Sequence, residues 1–165
     1  MRKERERRTL ETAGMLFTLL FGNLLHFVYD WAGQAGWAAY LSAVNESTWE
    51  HMKLLAVPWL VWTVVTIVVN RCAASALPRA IGLLAGLAAI PALFYTYTGI
   101  CGRHWLWADI LTFVLGAAVT AYYTWKYARR GRGSSVFGAV VLAVIAVCFG
   151  VFSLFPPAVG IFAIP

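Results

Sequence analysis

The sequence predicts an all-α, polytopic integral membrane bundle of five transmembrane helices, with the N-terminus cytoplasmic and the C-terminus outside. Three observations lead there. Of 165 residues, 61% are hydrophobic and only 12% are charged, whereas a soluble domain is about a quarter charged. A single small core does not bury such an apolar excess. The apolar residues fall in five runs, each near the ~20 residues that cross a hydrocarbon layer of ~30 Å. None of the runs alternates as a barrel strand would. Lys and Arg, finally, gather at the ends of these runs. The net charge of +6 is therefore not spread over one basic face, so the expected partner is the lipid bilayer and not a nucleic acid.

The first span, 12–31, follows a basic start and ends in His26, Tyr29 and Asp30. It is longer than the apolar region of a signal peptide, so it is read as retained although Ala32-Gly33-Gln34-Ala35 loosely resembles a cleavage site. The second span, 50–69, carries Pro58 and the third, 80–100, carries Pro91; prolines inside helices produce kinks. Gly82 and Gly86 give the third span a small-residue packing face. The fourth, 105–127, runs from Asp109 into a stripe of Thr112, Gly116 and Thr120 suited to close helix approach. The fifth, 136–155, is almost wholly apolar. A polar break at 70–78, a tight turn at 99–102 and a basic Gly/Ser loop at 129–135 separate the later spans. The Pro-containing residues 155–165 are expected to lie back on the outer interface. With no internal repeat, 1–165 reads as one transmembrane domain.

Orientation follows from the basic residues. Arg2, Lys3, Arg5, Arg7, Arg8, Arg71, Arg79, Lys126, Arg129, Arg130 and Arg132 fall on one side, and only Lys53 and Arg103 on the other. Basic residues favour the cytoplasmic side, which puts the first group inside. Trp31, Trp37, Trp49, Trp105 and Trp107 then form an outer aromatic belt, with Trp125 at the inner interface. The three cysteines show no metal-ligand spacing: Cys72 is expected to face the cytoplasm, and a Cys101–Cys148 disulfide outside has no support from spacing.

Placed on this topology, the ionisable residues separate sharply. Glu4, Glu6 and Glu11 belong to the basic N-terminal tail and are expected to be solvated, which leaves the cytoplasmic half of the spans without an acid or a histidine. Asp30, Glu46, Glu50 and Asp109 all fall at the outer ends of spans, as do His26, His51, His104, Lys53 and Arg103. Ionisable groups within a membrane face a bundle interior or a wet cavity, so the concentration points to one polar pocket open to the outside. Asn23, His26 and Asp30 share a helix face at i, i+3, i+7, and Asp30 is placed to accept a proton from the His26 ring. Glu46, Glu50 and Lys53 share another face, with His51 turned away on the side of Ser47. Asp109 lies about 7.5 Å below His104 at helical rise.

Structural readings stand beside the functional ones. Ser47-Thr48-Trp49-Glu50 matches a capping box, with Ser47 as N-cap and Glu50 reaching back to its N–H. Lys53 is read as the ion-pair partner of Glu50 or Asp30, or as a snorkelling interfacial lysine. Arg103 and His104 are expected on an exposed loop.

The segments His26-Phe27-Val28-Tyr29-Asp30-Trp31 and Val44-Asn45-Glu46-Ser47-Thr48-Trp49-Glu50-His51-Met52-Lys53 resemble the paired signature of an uncharacterised family of small prokaryotic multi-span membrane proteins, known only as a domain of unknown function. The likeness is tight over 25–58 and loose elsewhere. It implies an integral membrane protein of the prokaryotic plasma membrane, no particular activity, and a polar tail beyond a Pro-Pro pair, whereas this chain ends at Pro165. The candidate pocket, for a metal ion or a small polar ligand, comprises His26, Asp30, Asn45, Glu46, Glu50, His51, Lys53 and Asp109. His26, Asp30, Glu46, Glu50 and His51 are candidate ligands for a divalent metal, although no tight metal motif is present. The alternatives are a structural ion-pair and hydrogen-bond lock in a membrane assembly subunit, and a metal-assisted membrane hydrolase or transferase with Lys53 as electrostatic stabiliser. Five spans without a repeat offer no path through the membrane; a homo-oligomer or a membrane partner would be needed to complete one.

Overall fold

The computed structural model describes residues 2–69, 76–128 and 135–164. Its elements are α1 (Arg2–Trp31), α2 (Gly36–Leu41), α3 (Thr48–Val69), α4 (Ala76–Cys101), α5 (Leu106–Ala128), α6 (Ser135–Leu154) and a 3₁₀ turn (Gly160–Phe162). No strand occurs among the described residues. Five of these helices, all but α2, are long and apolar enough to cross a membrane. The short α2 is an addition to the expected elements; its six residues are too few to stand out as an amphipathic repeat. Helix α1 also starts ten residues earlier than its apolar run, because Arg, Lys and Glu are themselves strong helix formers and Glu4 precedes Arg8 at the favourable i, i+4 spacing.

Contacts between elements far apart in sequence give the arrangement. At one end, His26 faces Glu46, Thr48 meets Tyr95, Tyr97 meets Asp109, and Lys53 reaches Ser153. At the other, Glu11 meets Arg79, Arg7 reaches the Ala128 carbonyl, and Arg8 lies over Trp125. The five long helices thus run alternately up and down between a histidine end and an arginine end. Helix α3 is the hub, packing on α1, α4, α5 and α6, and its Leu55, Ala56 and Trp59 are completely buried. Outward-facing Leu20, Val64, Val68, Val136 and Val147 are exposed, so the apolar excess coats the bundle surface, as a lipid-facing surface requires.

The stripe on α5 does what its composition suggests. A Cβ on Gly82 would sit 2.6 Å from the Thr120 carbonyl oxygen, and one on Gly86 2.6 Å from that of Gly116. Backbone therefore lies directly on backbone along α4 and α5, which is the reason for glycine at both positions. Residues 155–164 fold back over the histidine end, where the Phe162 ring packs 4.8 Å from that of Trp49 at a tilt and Tyr95 donates to the Gly160 carbonyl. Trp49 is accordingly packed against Phe149 and Phe162, and does not stand in an exposed belt with Trp31, Trp37 and Trp107.

One expectation is overturned at the arginine end. Glu11 is not in a solvated tail: it is buried and accepts a 2.8 Å hydrogen bond from the equally buried Arg79, which belongs to α4 and not to a loop. That half of the bundle therefore contains an acid after all, held there because an unpaired buried guanidinium would be far costlier. Cys101 and Cys148 are both free thiols. Cys72, Arg71 and most of the 70–78 break, together with Arg129, Arg130 and Arg132 of the basic loop, lie outside the described residues.

Gly86→Val should drive α4 and α5 apart at a backbone contact that cannot yield. We expect a loss of about 1–3 kcal/mol, read as a lower thermal midpoint in detergent. Gly99→Ala, which meets open space, should not lower it; equal effects of the two substitutions would contradict the packing described.

Candidate functional site

The histidine end is built from a turn. Ser42 accepts the chain from α2 in extended conformation, and Asn45 Oδ1 then accepts the Ser47 N–H at 2.9 Å, an Asx-type turn. Ser47 caps α3, its hydroxyl accepting the Glu50 N–H at 3.4 Å. The reciprocal half of the capping box is different from the expected one. Glu50 Oε2 accepts the Val44 N–H at 2.9 Å, and the Ser47 N–H is already taken by Asn45.

Glu50 also meets Lys53. Their charged groups are 2.6 Å apart, with side chains only 3% and 0% exposed. The Lys53 ammonium donates to the Ala39 carbonyl at 2.7 Å and to Ser153 Oγ at 2.9 Å, while Ser153 Oγ donates to Glu50 Oε1 at 2.6 Å. An ammonium has three donors, and all three are used. This arrangement ties α2, α3 and α6 together and is a closed structural lock.

Glu46 belongs to a different group. Its side chain is 65% exposed; Oε1 lies 3.7 Å from His26 Nε2 and Oε2 3.4 Å from His51 Nε2. The two rings are 5.5 Å apart, and one ligand atom from each of His26, Glu46 and His51 can be chosen so that all lie within 4.8 Å of one another. His51 Nδ1 is 3.0 Å from the Ser47 carbonyl oxygen. A carbonyl only accepts, so Nδ1 carries a proton, and the ring turns its Nε2 toward a carboxylate oxygen, where a neutral ring would present a lone pair. Two lone pairs so placed repel unless a proton or a cation lies between them. His26 has a buried Nδ1 without a hydrogen-bond partner.

Asp109 forms a third group, accepting from the Tyr97 hydroxyl and lying 3.2 Å from His104 Nδ1. His104 stands before the start of α5 and folds back onto Asp109, so the helical separation expected between them does not apply. Both groups open on one cavity of about 590 Å³, lined by His26, Glu46, His51, His104 and Asp109 among others. Asp30 is exposed and lines a smaller recess of about 150 Å³ behind Glu46, together with Asn45.

The expected cluster is thus present at one end but divided differently. Glu46 does not share a group with Glu50 and Lys53; it joins His26 and His51. The reason is that α3 begins at Thr48, so helical phase cannot be extended back to residue 46. Asp30 is not the partner of His26, because the His26 ring faces Glu46. Lys53 pairs with Glu50 and not with Asp30. Ser153 and Tyr97 were not singled out from sequence, though a serine near the end of so apolar a helix as α6 was a visible signal.

The division has energetic content. Removing one member of a buried pair strands the other, so Glu50→Ala should cost about 3–5 kcal/mol. An exposed ion pair contributes little, and Glu46→Gln should cost less than about 1 kcal/mol. Unfolding of both variants in the same detergent decides this; a large loss for Glu46→Gln would make the exposed group part of the lock.

Comparison with curated proteins and with solved structures returns no match to this chain. Comparison with protein families does, over almost the whole length and across both the lock and the exposed histidine group. Residues 2–164 match the family described as "Family of unknown function (DUF6512)", and the chain belongs to that family.

Proposed function

We propose that this chain is a multi-pass membrane protein whose His26, Glu46 and His51 bind a divalent cation at the extracytoplasmic end of the bundle. The observation that carries the reading is the Nδ1–H of His51 held on the Ser47 carbonyl. It turns Nε2 toward Glu46 and leaves that nitrogen for a ligand, as second-shell partners do for metal-bound histidines. One ligand atom from each residue can be chosen with all three within 4.8 Å of one another, whereas a tetrahedral ion with bonds of about 2.1 Å separates its ligand atoms by roughly 3.4 Å, so the side chains would close slightly on the ion. Two imidazoles and one carboxylate suit Zn²⁺ and its first-row neighbours, and three protein ligands leave a coordination position open. The exposure of Glu46 supplies an entry path.

The orientation rests on the basic residues. Arg2, Lys3, Arg5, Arg7, Arg8 and Lys126 all belong to the arginine end, against Lys53 and Arg103 at the histidine end, and Lys53 is neutralised within its lock. The competing reading is a protonated histidine pair held by Glu46. Either reading leaves a buried Nδ1–H on His26 without an acceptor, and metal content separates the two.

Purified protein should bind about one Zn²⁺ per chain, and Co²⁺ in its place should give the intense visible absorption of a four-coordinate site. His26→Ala, Glu46→Gln and His51→Ala should each weaken binding about tenfold or more, while Lys53 variants that still fold should not. Because protons compete for ligand nitrogens, affinity should fall as pH is lowered from about 7.5 toward about 5.5. Metal content and cobalt spectra measure both effects; absence of binding, or binding insensitive to all three substitutions, would overturn the reading.

A further inference from the structure

The cavity beside the triad has a polarity that runs in one direction. The ionisable side chains that line it, His26, Glu46, His51, His104 and Asp109, lie toward the histidine end, and the lining about a turn deeper is mostly apolar, with Asn23 and Thr112 its polar members. On α1, Gly22 lies four residues, about 6 Å, below His26. On α3, Leu54 lies one turn below His51. On α5, Phe113 follows Asp109 by four residues, and on α4, Ile90 lies one turn below Phe94. Gly22, Leu54, Ile90 and Phe113 all line the cavity and form its floor. The floor is closed because α1 comes against its neighbours at Gly22, where a Cβ would be 2.6 Å from both the Leu54 carbonyl oxygen and the Phe113 ring.

The side of the cavity is different. Phe27 on α1 and Leu106 and Ile110 on α5 line it, yet they are 51%, 75% and 47% exposed. Its lateral wall between α1 and α5 is therefore made of side chains that also face outward on the apolar surface of the bundle. An ionisable mouth, a mostly apolar floor toward the middle of the bundle and an apolar flank match the profile of one membrane leaflet, from headgroup to chain.

We infer that this cavity takes a single-chain amphiphile with an anionic oxygen headgroup from the leaflet at the histidine end, its tail on Leu54, Ile90 and Phe113 and its head at His26, Glu46 and His51. The volume of about 590 Å³ is in the range of ligand-binding cavities. The position of the head rests on the cation reading above, since an open position on a divalent ion accepts an oxygen anion. The tail site rests on the floor and flank alone.

The test uses the full chain in nanodiscs of phosphatidylcholine, with radiolabelled dodecyl phosphate as probe and inorganic phosphate as the headgroup without a tail. Zn²⁺ content is measured on the same samples. Retention should exceed that of empty nanodiscs and should not be displaced by equimolar inorganic phosphate. Ile90→Trp, which fills the floor, should weaken it about tenfold with Zn²⁺ uptake unchanged. Ile110→Trp, at an exposed flank position where folding is not at stake, should slow entry of the probe. Glu46→Gln should weaken retention through loss of the head contact. Retention no greater than in empty discs, displacement by equimolar inorganic phosphate, or wild-type behaviour of both tryptophan variants would overturn the inference. A chain that takes up no Zn²⁺ but holds dodecyl phosphate in an Ile90-dependent manner would overturn the cation reading and uphold the amphiphile site.

Discussion

An ammonium group removed from water must satisfy three donors, and the histidine end is organised around the way Lys53 does so. Its bonds to Glu50, to the Ala39 carbonyl and to Ser153 draw α2, α3 and α6 to one point. Glu50 has a second task there. Having taken the Lys53 charge, its Oε2 also accepts the Val44 N–H, which fixes the turn from which Asn45 and Glu46 project. The exposed carboxylate between two histidines is held in place by a buried carboxylate four residues away.

This division of labour separates two acids of similar sequence context. Both oxygens of Glu50 are engaged, by ammonium, hydroxyl and backbone N–H. A carboxylate so engaged and buried resists change and presents no open face to a ligand. Glu46 is open to solvent and faces two imidazole nitrogens at 3.4 and 3.7 Å, so its bonding capacity is left for something else. The arginine end holds another buried charge pair, Glu11 with Arg79, in which Glu11 Oε2 is left without a hydrogen-bond partner. Structural charge pairs thus occur at both ends of the bundle, while exposed histidine–carboxylate groups occur, among the described residues, at one.

Much of this was legible in the residues themselves. Five long apolar runs gave the helices, and the scarcity of charge made the concentration of histidines and acids at one end conspicuous. Helical spacing succeeded inside helices, as for Glu50 with Lys53 and for Gly82 and Gly86 against Thr120 and Gly116. It failed where the helix had not begun. Glu46 and His104 both precede their helices, α3 and α5, and loop geometry rather than a period of 3.6 decides what each one meets. Glu11 with Arg79 was hidden for another reason: the partners are 68 residues apart, and a charge next to a basic tail gives no local sign that it is buried. Membership of a family of unknown function, matched over residues 2–164, leaves the chemistry to be argued from the site.

The central claim is that the open group binds a cation while the closed one holds the fold. Anomalous diffraction at the zinc absorption edge, from crystals of the zinc-loaded protein, tests it most directly. The account predicts a single strong peak between His26 Nε2, His51 Nε2 and the Glu46 carboxylate, at about 2.0–2.2 Å from each, and none at Glu50 and Lys53. A histidine end without such a peak, with His26 and His51 instead hydrogen-bonded directly to Glu46, would contradict it.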